Sequence, residues 1–467
     1  MTDDAKKSAA TGLSRGLTSY GDTGFSLFLR KAFIKGAGYT DDALGRTVVG
    51  IVDTGSGYNP CHGNARELVE AVSRGVMLAG GLPVRFPTIS LHESFSHPTS
   101  MYLRNLMAMD TEEMIRAQPM DAVVLVGGCD KTVPAQLMGA ASAGVPAVQI
   151  VTGSMLTGSH EGTRVGACTD CRRYWARYRA GEIDEGTIVG VNDKLVPSVG
   201  TCSVMGTASS MAILTEALGM SIPGSASPPA VTADRIRAAE RTGAAAVGLA
   251  KSRITPAQVI TPKSVENALR ALLAIGGSTN APIHLNAIAR HIGVPLTVTD
   301  WQKVGHKVPL LVNLQPAGEY LGEEYYRAGG VPVVVNELLK QGLIRDAVTV
   351  NGKTLAENCK GREIEDERVI RPFGKPLVKD AGFIELKGNL FDSAIMKTSV
   401  ISEEFRKRYL SNPKDPDAFE GRAIVFEGTE DYHHRIDDPG LTPAGRWLAK
   451  RTGLPLVEGI GYPVPGS

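Results

Sequence analysis

The chain has 467 residues, with 50 Lys+Arg against 49 Asp+Glu and a formal charge of +1. That balance argues against a basic nucleic-acid surface or an acidic interaction tail, and 43% hydrophobic with 21% charged residues excludes a disordered chain. No apolar run approaches a bilayer span, and MTDDAKKSAATGLSRG at the start has no apolar signal-peptide core, so a soluble, cytoplasmic protein with no membrane or nucleic-acid partner is expected.

From residue 46 onward, strand and helix signals alternate. TVVGIVD (47–53) reads as a buried strand, followed by the loop TGSGYNPCHG. Asn64, with Glu67 three residues on, resembles a capping box opening a helix whose apolar face is Leu68, Val69, Val72 and Val76. Gly80 and Gly81 stop it. PVRFPTISL (83–91) is the next strand, interrupted by Pro87, and two short helical stretches are expected between residues 100 and 117. DAVVLVG (121–127) is a third strand. A small-residue helix, 132–143, carries Pro134 in its first turn and Gly144 as its stop, and PAVQIVTG (146–153) is a fourth strand. Such alternation predicts a parallel sheet with helices on both faces, and ligands bound at the carboxyl ends of its strands. Cys61, Glu93, Cys129-Asp130-Lys131 and Gly153-Ser154 fall there.

Beyond residue 180 the pattern is mostly helical, with segments near 204–218, 233–251 and 262–275, and a turn or strand running into a helix at 329–342. Near Ile370-Arg371-Pro372 the texture changes to short strands, FIELKG and RAIVFEG. The expected organisation is an α/β domain over 1–371 and a smaller, β-rich domain over 372–467.

Six cysteines in a long chain without a secretion signal point to metal or redox chemistry rather than a disulfide framework. Cys61, Cys129 and Cys202 sit in Gly-, Pro-, Asn- or Ser-rich loops, 68 and 73 residues apart. Three thiolates are one short of an ordinary iron–sulfur site, leaving an iron position open for Lewis-acid chemistry. Three unrelated buried thiols fit the spacing better. Cys168 and Cys171 form a single C-x-x-C pair, read as surface or packing residues, and Cys359 is read as incidental. GGCDKT (127–132) follows a strand and opens a helix, yet Asp130 stands where a P-loop needs glycine, so a divalent cation suits it better than a phosphate. An Asp–Lys surface pair is the plainer alternative. Glu93 can add a carboxylate to the same crevice, and His62, His92, His97 and His284 are each more often structural than functional. GGSTN (276–280) has the composition of a backbone nest, or of a helix C-cap followed by a new N-cap.

NPCHGN (59–64), VGGCDKTVPAQLMGAAS (126–142), SVGTCSVMGTASSMAILTEALG (198–219), GGSTNAPIHL (276–285), LVNLQPAGEYL (311–321) and KGNLFDSAIMKTSV (387–400) together resemble the iron–sulfur dihydroxy-acid and sugar-acid dehydratases. The resemblance covers about residues 20–438. FLRKAFIKGAGY and EEFRKRYLS (403–411) resemble the xylonate dehydratase-like branch more than the branched-chain amino-acid enzyme.

The resemblance implies a 2Fe-2S cluster on Cys61, Cys129 and Cys202, with Mg2+ at Glu93, Asp130 and a carbamylated Lys131. It also implies a substrate pocket lined by Ser203, Thr207, Ser278, Thr279 and Asn280. The implied reaction is dehydration of an aldonate to its 2-keto-3-deoxy acid, in a homodimer or homotetramer. The alternatives are a dihydroxy-acid dehydratase and a non-catalytic remnant or regulatory paralogue. In the family a C-terminal β-barrel carries a further Mg2+-binding Glu and a serine base. Here LTPAGRWLAKRTGLPLVEGIGYPVPGS (441–467) replaces that pattern, so a truncated barrel is expected, with no matching serine and Lys131 left as the catalytic group. Unpaired strand edges from about Phe383 onward would then favour association.

Overall fold

The computed structural model describes residues 10–17, 21–387, 392–409 and 412–414. RAIVFEG and the tail 441–467 lie outside the described residues. In chain order the elements up to the fourth strand are α1 (Thr23–Lys35), α2 (Asp41–Leu44), β1 (Val48–Asp53), α3 (Ala65–Leu78), β2 (Leu82–Pro87), α4 (Ser100–Ala117), β3 (Ala122–Gly127), α5 (Thr132–Ala143) and β4 (Ala147–Val151). The strands form one parallel sheet in the order β2-β1-β3-β4, with Val49 level with Pro83 on one side and Ala122 on the other. Ile51, Val52, Val124 and Leu125 are fully buried. Continuous apolar runs of this kind are what a sheet covered by helices requires.

Helix α3 lies against β1, β2 and β3, and α5 against β3 and β4. A long helix from the second half of the chain joins them. After β5 (Gly158–His160), β6 (Thr163–Val165), α6 (Asp170–Arg179), α7 (Glu185–Leu195) and α8 (Thr207–Ala217) comes α9 (Ala233–Ser252), which packs along α3 and onto the sheet. Glycines let these two helices touch backbone to backbone. A Cβ on Gly75 would stand 1.9 Å from the Glu240 carbonyl oxygen, and one on Gly243 2.1 Å from that of Val72. No side chain fits there.

The remaining elements are α10 (Pro256–Val259), α11 (Pro262–Ile275), α12 (Ala281–His291), α13 (Val298–Gly305), α14 (Gly322–Arg327), α15 (Gly330–Lys340), α16 (Leu355–Cys359), β7 (Phe383–Leu386), β8 (Ala394–Lys397) and α17 (Glu403–Tyr409). Helix α11 is buried on every side from Asn267 to Ile275, with α8, α13 and α15 packed around it. The β7–β8 hairpin is antiparallel and rests on α13, with the Trp301 and Phe383 rings 5.7 Å apart.

Three local expectations change. Residues 100–117 form one helix, because its buried face includes Ser100, Arg104 and Thr111 and so hides the apolar period. Strand β2 ends at Pro87 rather than running to 91: its pairing with β1 stops there, level with Asp53, the last residue of β1. Asn64 makes no side-chain cap for α3; its amide is used elsewhere. Among the described residues no helix is long and apolar enough to cross a membrane.

Candidate active site

The carboxyl ends of the four strands supply most of the chemistry-bearing groups. Beyond β1, a single turn of 3-10 helix, Pro60–His62, presents Cys61. Beyond β2 come His92 and Glu93, and beyond β3 the Cys129-Asp130-Lys131 run. Beyond β4, Gly153 and Met155 pair with Thr201 through main-chain hydrogen bonds of 2.9 and 2.8 Å, which brings Cys202 to the same edge. Arg235, fully buried, fixes this last loop by donating to the carbonyls of Val151 (2.8 Å), Ser225 (2.6 Å) and Pro228 (3.1 Å).

The NPCHGN segment ties these ends together. Asn59 donates its amide to the Leu91 carbonyl and the Ser90 hydroxyl, both at 3.1 Å, holding the loop after β2. His62 holds the loop after β3. Its Nδ1 lies 2.9 Å from the Thr54 carbonyl, which can only accept, so Nδ1 carries the hydrogen. Nε2 then accepts from the backbone N–H of Gly128 (2.9 Å) and Cys129 (3.1 Å). Burial pushes the imidazole down to about 4, so it stays neutral in this role. Asn64 donates to the carbonyls of Thr152 and Ala230, both at 2.9 Å, holding the loops after β4. A Cβ on Gly128 would meet the Thr152 hydroxyl at 1.7 Å, so these loops approach as closely as glycine permits. Sequence reasoning missed this work by Asn59, His62 and Asn64. Three amide or imidazole side chains within six residues after a strand were the available signal.

Four thiols meet above that network. Possible ligand atoms of Cys61, Cys129 and His92 lie within 4.8 Å of one another. Cys168 Sγ stands 3.2 Å from Cys202 Sγ. The Cys61 thiol is pushed well up, first by its hydrogen bond with Cys129, then by burial and the charges of Cys129, Cys202 and Asp130. Cys202 is likewise raised by its contact with Cys168 and by burial. Cys168 is instead drawn down to about 7, first by its hydrogen bond with Cys202 and then, against burial, by the charge of Arg172. The Cys61 and Cys202 thiols stay protonated, and a metal cation reverses that. Sulfur donors of this number fit an iron–sulfur group. The 3.2 Å contact makes the exposed Cys168 thiol a packing neighbour of Cys202. Cys359, by contrast, is buried far along the chain in α16, and burial lifts its thiol to about 12.

Lys131 Nζ lies 2.6 Å from Glu93 Oε2 and 2.7 Å from Asp130 Oδ2. Burial opposes charge on both Glu93 and Lys131, and their mutual contacts overcome it: Glu93 sits below the ordinary carboxylate range and Lys131 above the ordinary amine. The Ser100 hydroxyl also donates to Glu93. Two carboxylates sharing one cation make an oxygen site of the kind a hard divalent ion such as Mg2+ takes.

The 276–280 loop borders this group. Gly276 caps α11 in the left-handed region, and Asn280 precedes α12, so it is both a cap pair and a polar loop. Ser278 Oγ lies 3.1 Å from Thr207 Oγ1, and the Asn280 amide donates to that oxygen at 3.0 Å. Thr279 is exposed, while Ser203 is buried with no partner for its hydroxyl among the described residues. His284 connects the loop to the ion-pair site: its Nδ1 is 3.1 Å from Arg104, and burial with the charges of Arg104 and Lys131 pushes it to about 3. Lys397, from β8, donates to the Gly276 carbonyl at 2.8 Å.

Comparison with known proteins is consistent with this geometry. The N-terminal profile of the dihydroxy-acid/6-phosphogluconate dehydratases matches residues 46–358, and the C-terminal profile matches 368–446, so the family's C-terminal domain is represented in the chain. A D-xylonate dehydratase of Caulobacter vibrioides is 47% identical over 407 residues, 86% of this chain and 68% of that protein. An L-arabinonate dehydratase of Rhizobium leguminosarum bv. trifolii is 42% identical over 425 residues, 90% and 72% of the two chains. A dihydroxy-acid dehydratase of Clostridium botulinum is 35% identical over 421 residues, 89% and 74%. With both profiles matched and such relatives aligned over most of its length, the chain belongs to the dihydroxy-acid/6-phosphogluconate dehydratase family.

Proposed function

We propose that the chain is a hydro-lyase that converts a sugar acid, an aldonate such as xylonate or arabinonate, to its 2-keto-3-deoxy acid. Cys61, Cys129 and Cys202 would hold a 2Fe-2S cluster, and Glu93, Asp130 and Lys131 a Mg2+ ion. The observation that carries this reading is the meeting, at one sheet edge, of sulfur donors with a lysine-bridged pair of carboxylates. The sugar-acid substrate is favoured over a branched dihydroxy acid because xylonate and arabinonate dehydratases align at 42 to 47% identity and dihydroxy-acid dehydratases at 35 to 38%.

When bound, the cluster and Mg2+ supply Lewis acidity at the departing 3-hydroxyl and at the carboxylate with its 2-hydroxyl. The chain's own groups do the rest. Glu93 and Asp130 would hold the cation at the place the substrate carboxylate enters. Thr207, Ser278 and Asn280 present a hydroxyl–amide row suited to orienting a polyol, and Ser203 offers an unpartnered buried hydroxyl. Neutral His62 holds the Cys129 loop rigid, which keeps the reacting groups in register. Lys131 Nζ is an ammonium between two carboxylates and takes no proton in that state. With a divalent cation held by Glu93 and Asp130, its proton affinity would fall; the amine, its proton given up to solvent, would then be available as a base or to add CO2 as a carbamate with loss of a second proton.

The same reading places the protein in the cytoplasm as a homodimer or homotetramer, with a domain division near residues 371 and 372. The break between the two profile matches, 358 to 368, supports that division. Anaerobic purification followed by iron and acid-labile sulfide analysis is the first test, with about two of each per chain expected. A screen of aldonates against 2,3-dihydroxy-3-methylbutanoate then reads the substrate. Turnover of the branched acid alone overturns the sugar-acid assignment, and iron-free protein after reconstitution overturns the reaction.

A further inference from the structure

The cluster reading uses three thiols, and the structure brings a fourth to the same place. Cys61 and Cys129 form one pair, their sulfurs within 4.8 Å. Cys168 and Cys202 form the other at 3.2 Å. Two pairs of cysteines are the ligand count that closes an ordinary 2Fe-2S site. Resting on the cluster assignment above, we propose that Cys168 is a fourth thiolate of that cluster in the substrate-free protein, sharing an iron with Cys202.

Three further observations support it. Two thiolates on one tetrahedral metal at about 2.3 Å stand about 3.8 Å apart, whereas a disulfide needs about 2.05 Å. The observed 3.2 Å is nearer the first. Secondly, Cys168 adopts φ 77°, in the left-handed region that a non-glycine residue enters at a cost of about 1–2 kcal/mol. Such strain persists where the surroundings impose it, and it collects at ligand clamps. Thirdly, the surroundings here are specific. Asp170, 1% exposed, accepts from the Gly166 N–H at 2.7 Å and returns its own N–H to the Gly166 carbonyl at 3.0 Å. That closed loop of 166–170 turns Cys168 toward Cys202. Cys171, three residues on, lines a separate groove with Arg172 and Trp175 instead.

The fourth ligand is also the removable one. Cys61 and Cys129 are buried and Cys202 is half-buried, but Cys168 is exposed on a short loop. Binding iron would release the Cys168 thiol proton to solvent; withdrawal of the side chain, with a proton taken back from solvent, would return the open position that dehydration needs.

Exposure makes the proposal testable by chemistry other than turnover. Anaerobic, iron-loaded protein without substrate is treated with N-ethylmaleimide and mapped by mass spectrometry, beside protein stripped of iron and reduced. Because alkylation follows thiolate availability and access, Cys168 should react about tenfold more slowly with the cluster in place, while Cys171 reacts alike in both. Mössbauer spectra supply the second readout, free of simple shielding. Cys168→Ser should keep about two irons per chain and alter one iron site, and Cys171→Ser should leave both unchanged. Equal alkylation of Cys168 in the two forms overturns the proposal, as does a Cys168→Ser spectrum superimposable on that of the unaltered protein. A Cys168–Cys202 disulfide in iron-loaded protein overturns it too. Iron-free protein instead defeats the cluster assignment itself, so the two failures are distinguishable.

Discussion

The contact between α3 and α9 and the network at the strand ends are built from opposite materials. At the helix contact the closest approaches are backbone to backbone: Gly75 meets the Glu240 carbonyl and Gly243 that of Val72. At the strand ends, polar side chains are sunk into the protein and each is spent on main-chain groups of a neighbouring loop, as with Asn59, His62 and Asn64. The first arrangement tolerates no added volume, and the second no lost atom. Shape, with one half-exposed ion pair between Arg74 and Glu240, fixes how the helices sit. Loops that must place sulfur and carboxylate atoms need direction as well, and only hydrogen bonds supply it.

The largest effect should come from adding one methyl to the helix contact. Gly75→Ala drives a Cβ into a carbonyl that cannot move without its helix, and a loss of at least about 3 kcal/mol is expected in denaturant unfolding. A variant within about 1 kcal/mol of the parent would show that α9 can be displaced cheaply, and the contrast drawn here would fail.

Removing an atom at the other region should cost less stability and more function. His62→Ala strands the N–H groups of Gly128 and Cys129, at about 2 kcal/mol, and the Cys129 loop loses its anchor. Iron content should fall below half that of the parent while far-UV circular dichroism is retained. Full iron loading would show that the cysteines find the metal unaided.

Changing pH should separate the strand-end network from a buried carboxyl on α8. His62 has its folded value depressed to about 4 from 6.5, so the unfolded chain protonates first and stability is lost as pH falls from 6.5 toward 4. Glu216, on α8, is buried with its carboxylate accepting from the Gly224 and Ala226 N–H groups, and burial raises it to about 7 from 4.5. Here the folded state keeps the proton longer, so stability is lost as pH rises from 4.5 to 7. Each is worth about 3 kcal/mol across its window. Hydrogen exchange at pH 5 and pH 8 should show protection moving in opposite directions near 128–129 and near 224–226. Glu216→Gln should flatten only the second.

The smallest effect is expected where the β7–β8 hairpin touches the 276–280 loop. Lys397→Met removes one donor from the Gly276 carbonyl and spares the cost of burying an amine, so stability should change by about 1 kcal/mol or less. A KM for aldonate raised a few-fold, with kcat held, would tie the hairpin to substrate binding.

Much of this contrast was hidden in the sequence for physical reasons. The strands at 47–53, 121–127 and 146–153 and the helix at 132–143 announce themselves, because burial on both faces demands unbroken apolar runs. Their parallel pairing follows from alternation, and so does the placing of Cys61, Glu93 and Cys129 at one edge. The glycine contact is not legible, since Gly75 and Gly243 look like ordinary helix defects until α9 is laid on α3. The gathering of Cys202 with the other thiols depends on the bridge from Thr201 to Gly153, which no spacing reveals. Likeness to known dehydratases supplied what periodicity could not. Cys168 escaped both routes, because its partner lies 34 residues away across two helices and its reach depends on a backbone angle.

The hydrogen bond from Asn64 to the Ala230 carbonyl closes a loop of 166 residues. During synthesis Cys61 therefore leaves the ribosome long before the segment that completes its surroundings exists. The β4 loop waits equally for Arg235. Until both have emerged, the thiols of the nascent chain have no fixed partners, and iron delivered early would find no shaped receptacle. On the proposed cluster assignment, loading would therefore be a late event in the life of each molecule, and the interval before it is when the thiols are most open to oxidation.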